Sequence, residues 1–308
     1  NNGICLIFKP IKWVEFFFSL YTFLEMRILI KFFLIFILSI VNSYSDDIGT
    51  NISKKISESL SEILPGIGYT ETSIDLRENN SPDFSILAVR ELENYGDGNF
   101  FSQFSIFSTE QNSDERIVGN LGFGKRTLSD DKFTMTGFNG FLDLDDAGNV
   151  RSSLGYEARN AVLDFSANYY LGLADATDEK VLDGYDYRLA SQIPYLHWAN
   201  AFISSYEWSG KDRDDIKGTK LGTELFLSPT FSLEAAFDDK DKTGLEDEWY
   251  AKLQFFYPPR EGATAQDGIS DIMWKEERDM SDQLLTKVKR QNKIMIEFKG
   301  SATISRTD

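Results

Sequence analysis

One histidine, His197, and one cysteine, Cys5, narrow the chemistry open to this chain. A single imidazole excludes a histidine-rich metal site by count, and a lone thiol provides no disulfide framework. Serine hydrolysis needs a presented nucleophile such as G-x-S-x-G, and none occurs. His197, close to Pro194, reads as a polar turn or interface residue. Gly119-x-x-x-x-Gly124-Lys125 repeats seven positions of a phosphate-binding loop. Arg126 stands where a Ser or Thr would ligate magnesium, and the run alternates like a strand instead of opening a helix. Asp239-x-Asp241-x-Thr243-Gly244 starts like a calcium loop, but Tyr250 occupies the place of the bidentate glutamate, so a solvated acidic loop is the better reading. Asp143, Asp145 and Asp146 before Gly148 read as a hairpin connection. The sequence therefore yields no catalytic residue, no metal site and no cofactor site, and a protein that is not an enzyme is expected.

The formal net charge is -17, which disfavours a nucleic-acid partner because phosphate would be repelled. The chain opens on Asn1. Met26-Arg27-Ile28-Leu29-Ile30-Lys31 makes a short basic start, Phe32 to Val41 an apolar core, and Ser43-Tyr44-Ser45 a small-residue cleavage signal. Residues 26–45 are thus read as a signal peptide and 1–25 as an upstream extension that is not native. The alternative is one transmembrane helix from Phe16 to Val41, which Glu25, Arg27 and Lys31 would interrupt. Cleavage after Ser45 removes Cys5 and leaves a more acidic chain without cysteine. Beyond Val41 no stretch is long and apolar enough for a membrane helix. Mean hydropathy is -0.30, as in soluble proteins, yet a membrane barrel also scores low because half of its strand residues face water.

Stepping along the chain, Asn51 to Leu64 has the spacing of a short amphipathic helix within a periplasmic segment, 46–68. From Tyr69 to Tyr257 the period is two. It predicts twelve strands: Tyr69–Arg77, Asp83–Arg90, Phe100–Thr109, Arg116–Arg126, Phe133–Asp145, Asn149–Arg159, Ala161–Leu173, Tyr185–Ile193, His197–Trp208, Thr219–Leu227, Phe231–Asp238 and Glu248–Tyr257. In the last, Trp249, Ala251, Leu253, Phe255 and Tyr257 oppose Lys252 and Gln254. The second and ninth strands do not sort into two faces. Tight turns at Arg159-Asn160, Pro194–Leu196 and Ser228–Thr230 alternate with charged loops at Ala174–Gly184, Ser209–Gly218 and Asp239–Asp247. Soluble β-sandwiches also alternate, but these strands are longer than the usual ~5–6 residues and suit a tilted membrane crossing. Aromatics near strand ends, among them Tyr169, Tyr170, Tyr185, Tyr187, Tyr206, Trp208 and Trp249, suit interfacial girdles. The fold expected is all-β: a transmembrane antiparallel barrel of about twelve strands over 69–257, with a short N-terminal helix and a C-terminal helix and linker, 258–308, lying in the pore. Asp279 to Lys289 would form that helix, with Met280, Leu284, Leu285 and Val288 on its apolar side, and Ile294, Ile296 and Phe298 then alternate like a short strand.

Four segments carry a resemblance. Asn120-Leu121-Gly122-Phe123-Gly124-Lys125-Arg126 resembles the N-x-G-x-G-x-R strand of intimin/invasin translocator domains. Gly137-Phe138-Asn139-Gly140-Phe141-Leu142-Asp143 is similar to that family's G-x-N-x-F-x-D strand, and Leu154-Gly155-Tyr156-Glu157 to its L-G-x-E strand. The run Leu285 to Lys299 resembles its V-x-R-x-N-x-I-x-L-E-Y-K linker. The resemblance implies an inverse autotransporter: an outer-membrane barrel whose downstream chain returns through the pore to passenger domains outside. No periplasmic peptidoglycan-binding module and no passenger follow in this sequence, so the passenger is expected to be absent or truncated, and an extracellular surface ligand would be reached only through it. A stand-alone porin-like barrel is the alternative.

An even number of strands leaves the tail in the periplasm, so an exported tail must re-enter a polar pore. Candidate pore-lining residues are Asn120, Arg126, Asn139, Asp143, Glu157, Asn168, Arg188, Glu224, Glu234 and Lys252, and Lys287, Arg290 and Asn292 are the linker residues expected among them. A solvated, undocked tail is the rival reading. Partners expected are outer-membrane lipid and the barrel assembly machinery, for which the last strand, ending Phe255-Phe256-Tyr257, would be the signal. The location expected is the outer membrane of a Gram-negative bacterium.

Overall fold

The computed structural model describes residues 66–78, 81–111, 114–241, 246–275 and 277–299. The expected signal peptide, the upstream extension and the Asn51–Leu64 helix lie outside the described residues.

Fourteen strands are present among them: β1 (Gly68–Arg77), β2 (Asp83–Asn94), β3 (Gly98–Gln111), β4 (Asp114–Leu128), β5 (Thr134–Asp145), β6 (Val150–Asn160), β7 (Leu163–Ala174), β8 (Glu179–Val181), β9 (Asp183–Ile193), β10 (Leu196–Ser209), β11 (Ile216–Ser228), β12 (Phe231–Lys240), β13 (Glu248–Tyr257) and β14 (Ile296–Phe298). Twelve of them close a barrel in which each strand pairs with its sequence neighbours, and β8 and β14 form a separate two-stranded sheet. The barrel is sealed by β1 against β13, in register from Thr70↔Tyr257 to Arg77↔Tyr250. Closure removes the sheet edges, so each wall strand has a hydrogen-bonding partner on both sides, as hydrocarbon requires.

The period of two sorts the wall into two surfaces. Outside, Phe138 is 67% exposed, Leu154 70% and Leu221 65%. Inside, Arg126, Arg151 and Glu157 are fully buried. Apolar out and polar in is the reverse of a soluble β-protein. In water this shell would be one very large apolar patch, whereas in a bilayer it is the solvated face.

β2 and β10, which the sequence pattern could not sort, have identifiable reasons. In β2 the residues Leu87 and Val89 turn their apolar side chains into the lumen, where they cluster with Phe101, Phe141 and Val288. In β10 the register shifts between Leu196 and Asn200, and Phe202 and Trp208 lie inside, Phe202 under the Arg188 guanidinium at 4.1 Å. The girdle reading needs the same correction. Tyr169, Tyr185, Tyr187 and Trp249 are exposed on the outer surface, but Tyr170, Tyr206 and Trp208 form an inward cluster with Leu182.

A second correction concerns the tail. Asp279 to Lys289 is not a helix. A five-residue 3-10 turn, Ser281–Leu285, gives way to extended chain. The apolar residues keep their burial: Met280 and Leu284 join Leu128 and Met135, and Val288 and Leu285 join the β2 cluster. A helix would have internalised carbonyls that side chains of the wall bind instead, as described next.

Candidate functional site

Asn120, Gly122, Gly124 and Arg126 occupy alternate positions of β4 and so share the inner face. The two glycines serve as sockets. A Cβ on Gly122 would lie 2.3 Å from the Phe141 ring, and one on Gly124 would lie 2.4 Å from the Phe101 ring. Each ring sinks onto bare backbone and becomes a floor for a guanidinium: Arg290 stacks 4.2 Å above Phe141 and Arg126 4.2 Å above Phe101. On β5, Asn139 and Asp143 have the same inward parity, as do Arg151, Ser153, Gly155, Glu157 and Arg159 on β6. Gly155 leaves room for two amides, since a Cβ there would stand 2.4 Å from Asn139 Oδ1 and 2.5 Å from Asn168 Oδ1.

Two carboxylates organise this wall. Glu157 accepts from Arg126 Nε at 2.7 Å and Nη2 at 3.2 Å, and from Arg159 Nη2 at 2.9 Å. Asp143 accepts from Asn120 at 2.7 Å, from Arg151 Nε at 2.9 Å and from both Nη atoms of Arg290, at 2.9 and 2.6 Å. Removing water from such charges is tolerable only because each is paired and hydrogen-bonded.

Against this wall lies the chain's own C-terminal segment. The barrel end where β1 starts and β13 stops is called the lower end, and the opposite one the loop end. After β13, Arg260 N donates to Pro229 O, Ser270 N to Tyr195 O and Met280 N to Lys132 O, so residues 258–280 arc along the lower turns. The 3-10 turn then leads into the lumen. Arg126 Nη1 donates to the carbonyls of Leu284 at 2.8 Å and Thr286 at 2.6 Å. Arg159 binds Thr286 Oγ1 and the Lys287 carbonyl, the latter at 3.0 Å. Gln103 Oε1 accepts from Val288 N at 2.8 Å, and Asn168 Nδ2 donates to Lys289 O at 3.0 Å. Arg151 reaches the Gln291 carbonyl at 2.7 Å and the Lys293 carbonyl at 2.9 Å, and Asn120 the Asn292 carbonyl at 3.2 Å. At the loop end Gln111 donates to Ile294 O, and β14 pairs antiparallel with β8, Ile296↔Val181 to Phe298↔Glu179. Glu297 is held there by the amides of Lys211 at 2.9 Å and Asp212 at 3.1 Å. The segment therefore runs the length of the lumen from the lower end to the loops. Its backbone is bound by side chains of the wall instead of by itself, and this is why it is extended.

The linker's cations divide between two sides of the lumen. Lys287 Nζ pairs with Glu71 at 2.8 Å, Lys289 Nζ with Glu224 at 2.8 Å, and Arg290 with Asp143 on the opposite side. Of the residues expected from sequence, Asn120, Arg126, Asp143, Asn168 and Glu224 touch the linker directly. Glu157 acts through Arg126 and Arg159. Arg188 lies between Glu224 at 3.8 Å and Glu234 at 3.7 Å, and Lys252 pairs with Asp75 at 3.2 Å, both pairs belonging to the wall. Asn139 is buried in the lumen, and its side-chain amide makes no hydrogen bond among the described residues. Lys287, Arg290 and Asn292 all lie inside. Sequence reasoning missed Glu71, Gln103, Arg151, Arg159 and Tyr170. Inward parity alone would have found Arg151 and Arg159, which stand six residues before and two after Glu157. A cavity of about 190 Å³ remains beside the linker, between Arg188, Phe202, Glu234, Tyr250 and Lys252. His197, at the start of β10, bonds to the Ile272 carbonyl at 2.9 Å. Among the described residues no cluster of His, Cys, Asp or Glu is arranged to hold a metal.

A twelve-stranded barrel, apolar outside and filled by its own C-terminal segment, defines an outer-membrane barrel of the translocator type. The family model described as inverse autotransporter, beta-domain matches residues 39–292. This chain belongs to that family and is its translocator and anchor barrel in the outer membrane. A solved structure described under "Unveiling the Mechanism Behind the in-meso Crystallization of Membrane Proteins" is similar to it with TM-score 0.61 at 19% identity, covering 75% of this chain and 100% of its own. The KdgM porin aligns at 7% identity and TM-score 0.43, over 61% of this chain and 98% of its own. No curated protein sequence matches the chain.

Proposed function

We propose that the barrel holds its linker as a docked, extended plug in the lumen and that chain beyond Lys299 is presented outside the cell. Insertion by the barrel assembly machinery, prior cleavage after Ser45, and a role for the pore-lining and linker residues in holding an exported segment belong to this reading. The observation that carries it is the run of wall-to-backbone hydrogen bonds from Leu284 to Ile294, ending in the β14–β8 pairing at the loop end. A wall built to bind main-chain carbonyls tolerates many side chains, as a path for threaded polypeptide requires. No chemistry on a substrate is invoked.

The test is conductance in a planar bilayer, with and without residues Asp279 to Asp308. The full chain should show a closed or very small lumen, and the shortened one a stable, larger conductance. A wide, steady conductance from the full chain would contradict the docked linker and favour a passive pore.

A further inference from the structure

The arc between the last strand and the linker carries an apolar surface that its path along the turns does not use. Ile269 is 80% exposed, Ile272 65% and Met273 44%. These residues are fixed on the barrel rim. Trp198 Nε1 donates to Gly268 O at 2.8 Å, Tyr195 N to Met273 O at 3.0 Å, Ser270 N to Tyr195 O at 2.8 Å, and the His197 ring bonds Ile272 O at 2.9 Å. The next residue, Trp274, shares an open groove with Phe133, Val162 and Leu163. Phe133 and Leu163 are themselves exposed, and Leu163 stands in the outward register of β7 with Phe165, on the hydrocarbon face. The arc therefore meets the lipid-facing wall at Trp274, directly after the exposed Ile272 and Met273.

We propose that residues Gly268–Trp274 form a foot seated in the lipid interface at the lower rim of the barrel, with Ile269, Ile272 and Met273 immersed in the boundary between acyl chains and headgroups. Ile269 and the run Ile272-Met273-Trp274, with Ser270 and the exposed carboxylate of Asp271 between them, are pinned through the backbone and suit the headgroup boundary, where an aromatic ring with a polar edge is favoured, a charge can stay among the headgroups, and backbone groups must already be satisfied. The foot would fix where the chain turns from the wall toward the lower mouth and so set the start of the linker. This rests on the barrel being inserted in a bilayer, and the control below separates the two claims.

The experiment uses the full chain with Cys5→Ser, reconstituted at one barrel per nanodisc of phosphatidylcholine. An environment-sensitive fluorophore is placed at Ile269→Cys or Ile272→Cys, with Leu163→Cys as the barrel control and Asp97→Cys as an aqueous turn control. The foot should give blue-shifted emission, quenched by nitroxide carried near the headgroup at least several-fold more than at Asp97 and little by iodide. If Leu163 is quenched by lipid nitroxide while Ile269 and Ile272 behave like Asp97, the foot is refuted and the barrel stands. If Leu163 is also aqueous, the inserted barrel fails and the foot fails with it. A second variant, Ile269→Ser with Ile272→Ser, changes no rim hydrogen bond. It should leave the barrel folded by heat-modifiable gel mobility and should raise the frequency of linker-undocked conductance openings several-fold. Openings at the parent frequency would overturn the foot's role in positioning the linker.

Discussion

Replacing Arg290 by methionine should unseat the middle of the linker without harming the wall. The guanidinium is fully buried, donates to both oxygens of Asp143 at 2.9 and 2.6 Å and to Ser153 at 3.1 Å, and stacks on Phe141 at 4.2 Å. Breaking a buried pair typically costs ~3–5 kcal/mol, because the surviving charge is left without its partner. Here the lower end applies, since Asp143 keeps Arg151 and Asn120 as donors. A loss of about 3 kcal/mol in docking raises the undocked population on the order of a hundredfold, at ~1.4 kcal/mol per factor of ten. Single-channel recording reads this directly as the fraction of time spent open. Arg290→Met should open on the order of a hundred times more often than the parent, at the conductance of the protein lacking the linker. Asp143→Asn, which leaves both Arg290 and Arg151 buried without their carboxylate, should open at least as often, and the double variant should fall short of the sum of the two because both remove one interaction. Should Arg290→Met stay as closed as the parent while folding normally, the claim that buried pairs hold the linker would be wrong.

Other expectations follow from single contacts. Gly155→Ala places a methyl 2.4 Å from Asn139 Oδ1, so it should lower barrel stability by ~1–3 kcal/mol in urea-induced unfolding from detergent, whereas Gly119→Ala, whose methyl would meet only Leu144 Cδ1 at 3.8 Å, should be close to neutral. Glu297→Ala removes the acceptor for the amides of Lys211 and Asp212 and should speed their hydrogen exchange roughly tenfold or more, the consequence of ~1–3 kcal/mol for an unmade bond. In the β4–β5 turn the Ser129 hydroxyl, with the Phe133 amide, holds the Asp131 carboxyl below its usual range. Its contribution is therefore present at neutral pH and is lost as pH falls through the lowered value, and Ser129→Ala should move the Asp131 titration upward by carboxyl NMR.

The barrel could be read from sequence because lipid and water impose opposite demands on neighbouring residues, and that contrast survives in runs such as Trp249 to Tyr257. The polar lumen was legible for the same reason: Asn120, Arg126, Asp143 and Glu157 stand at alternate positions between apolar ones. What stayed hidden was everything that the linker imposes from a distance. Leu87 and Val89 face inward because Val288 meets them there, and Tyr170 is lumenal because it accepts from Gln291 N and lies under Arg151. The helix expected over Asp279 to Lys289 followed from the spacing of Met280, Leu284, Leu285 and Val288. That spacing is silent about Arg126, Arg159 and Arg151, whose hold on successive carbonyls favours the extended chain. Pairing of β14 with β8 joins segments far apart in sequence, and no local period reports it.

The central claim is that the chain after the barrel leaves through the lumen at the loop end. An epitope fused after Asp308 in living Gram-negative cells tests it, with a second epitope in the Asp97 turn at the lower end as a control. The Asp308 epitope should be stained and cleaved by external protease on intact cells, while the Asp97 epitope becomes accessible only after the outer membrane is opened. If the epitope after Asp308 stays protected in intact cells and is exposed together with the Asp97 epitope, the threaded linker is contradicted.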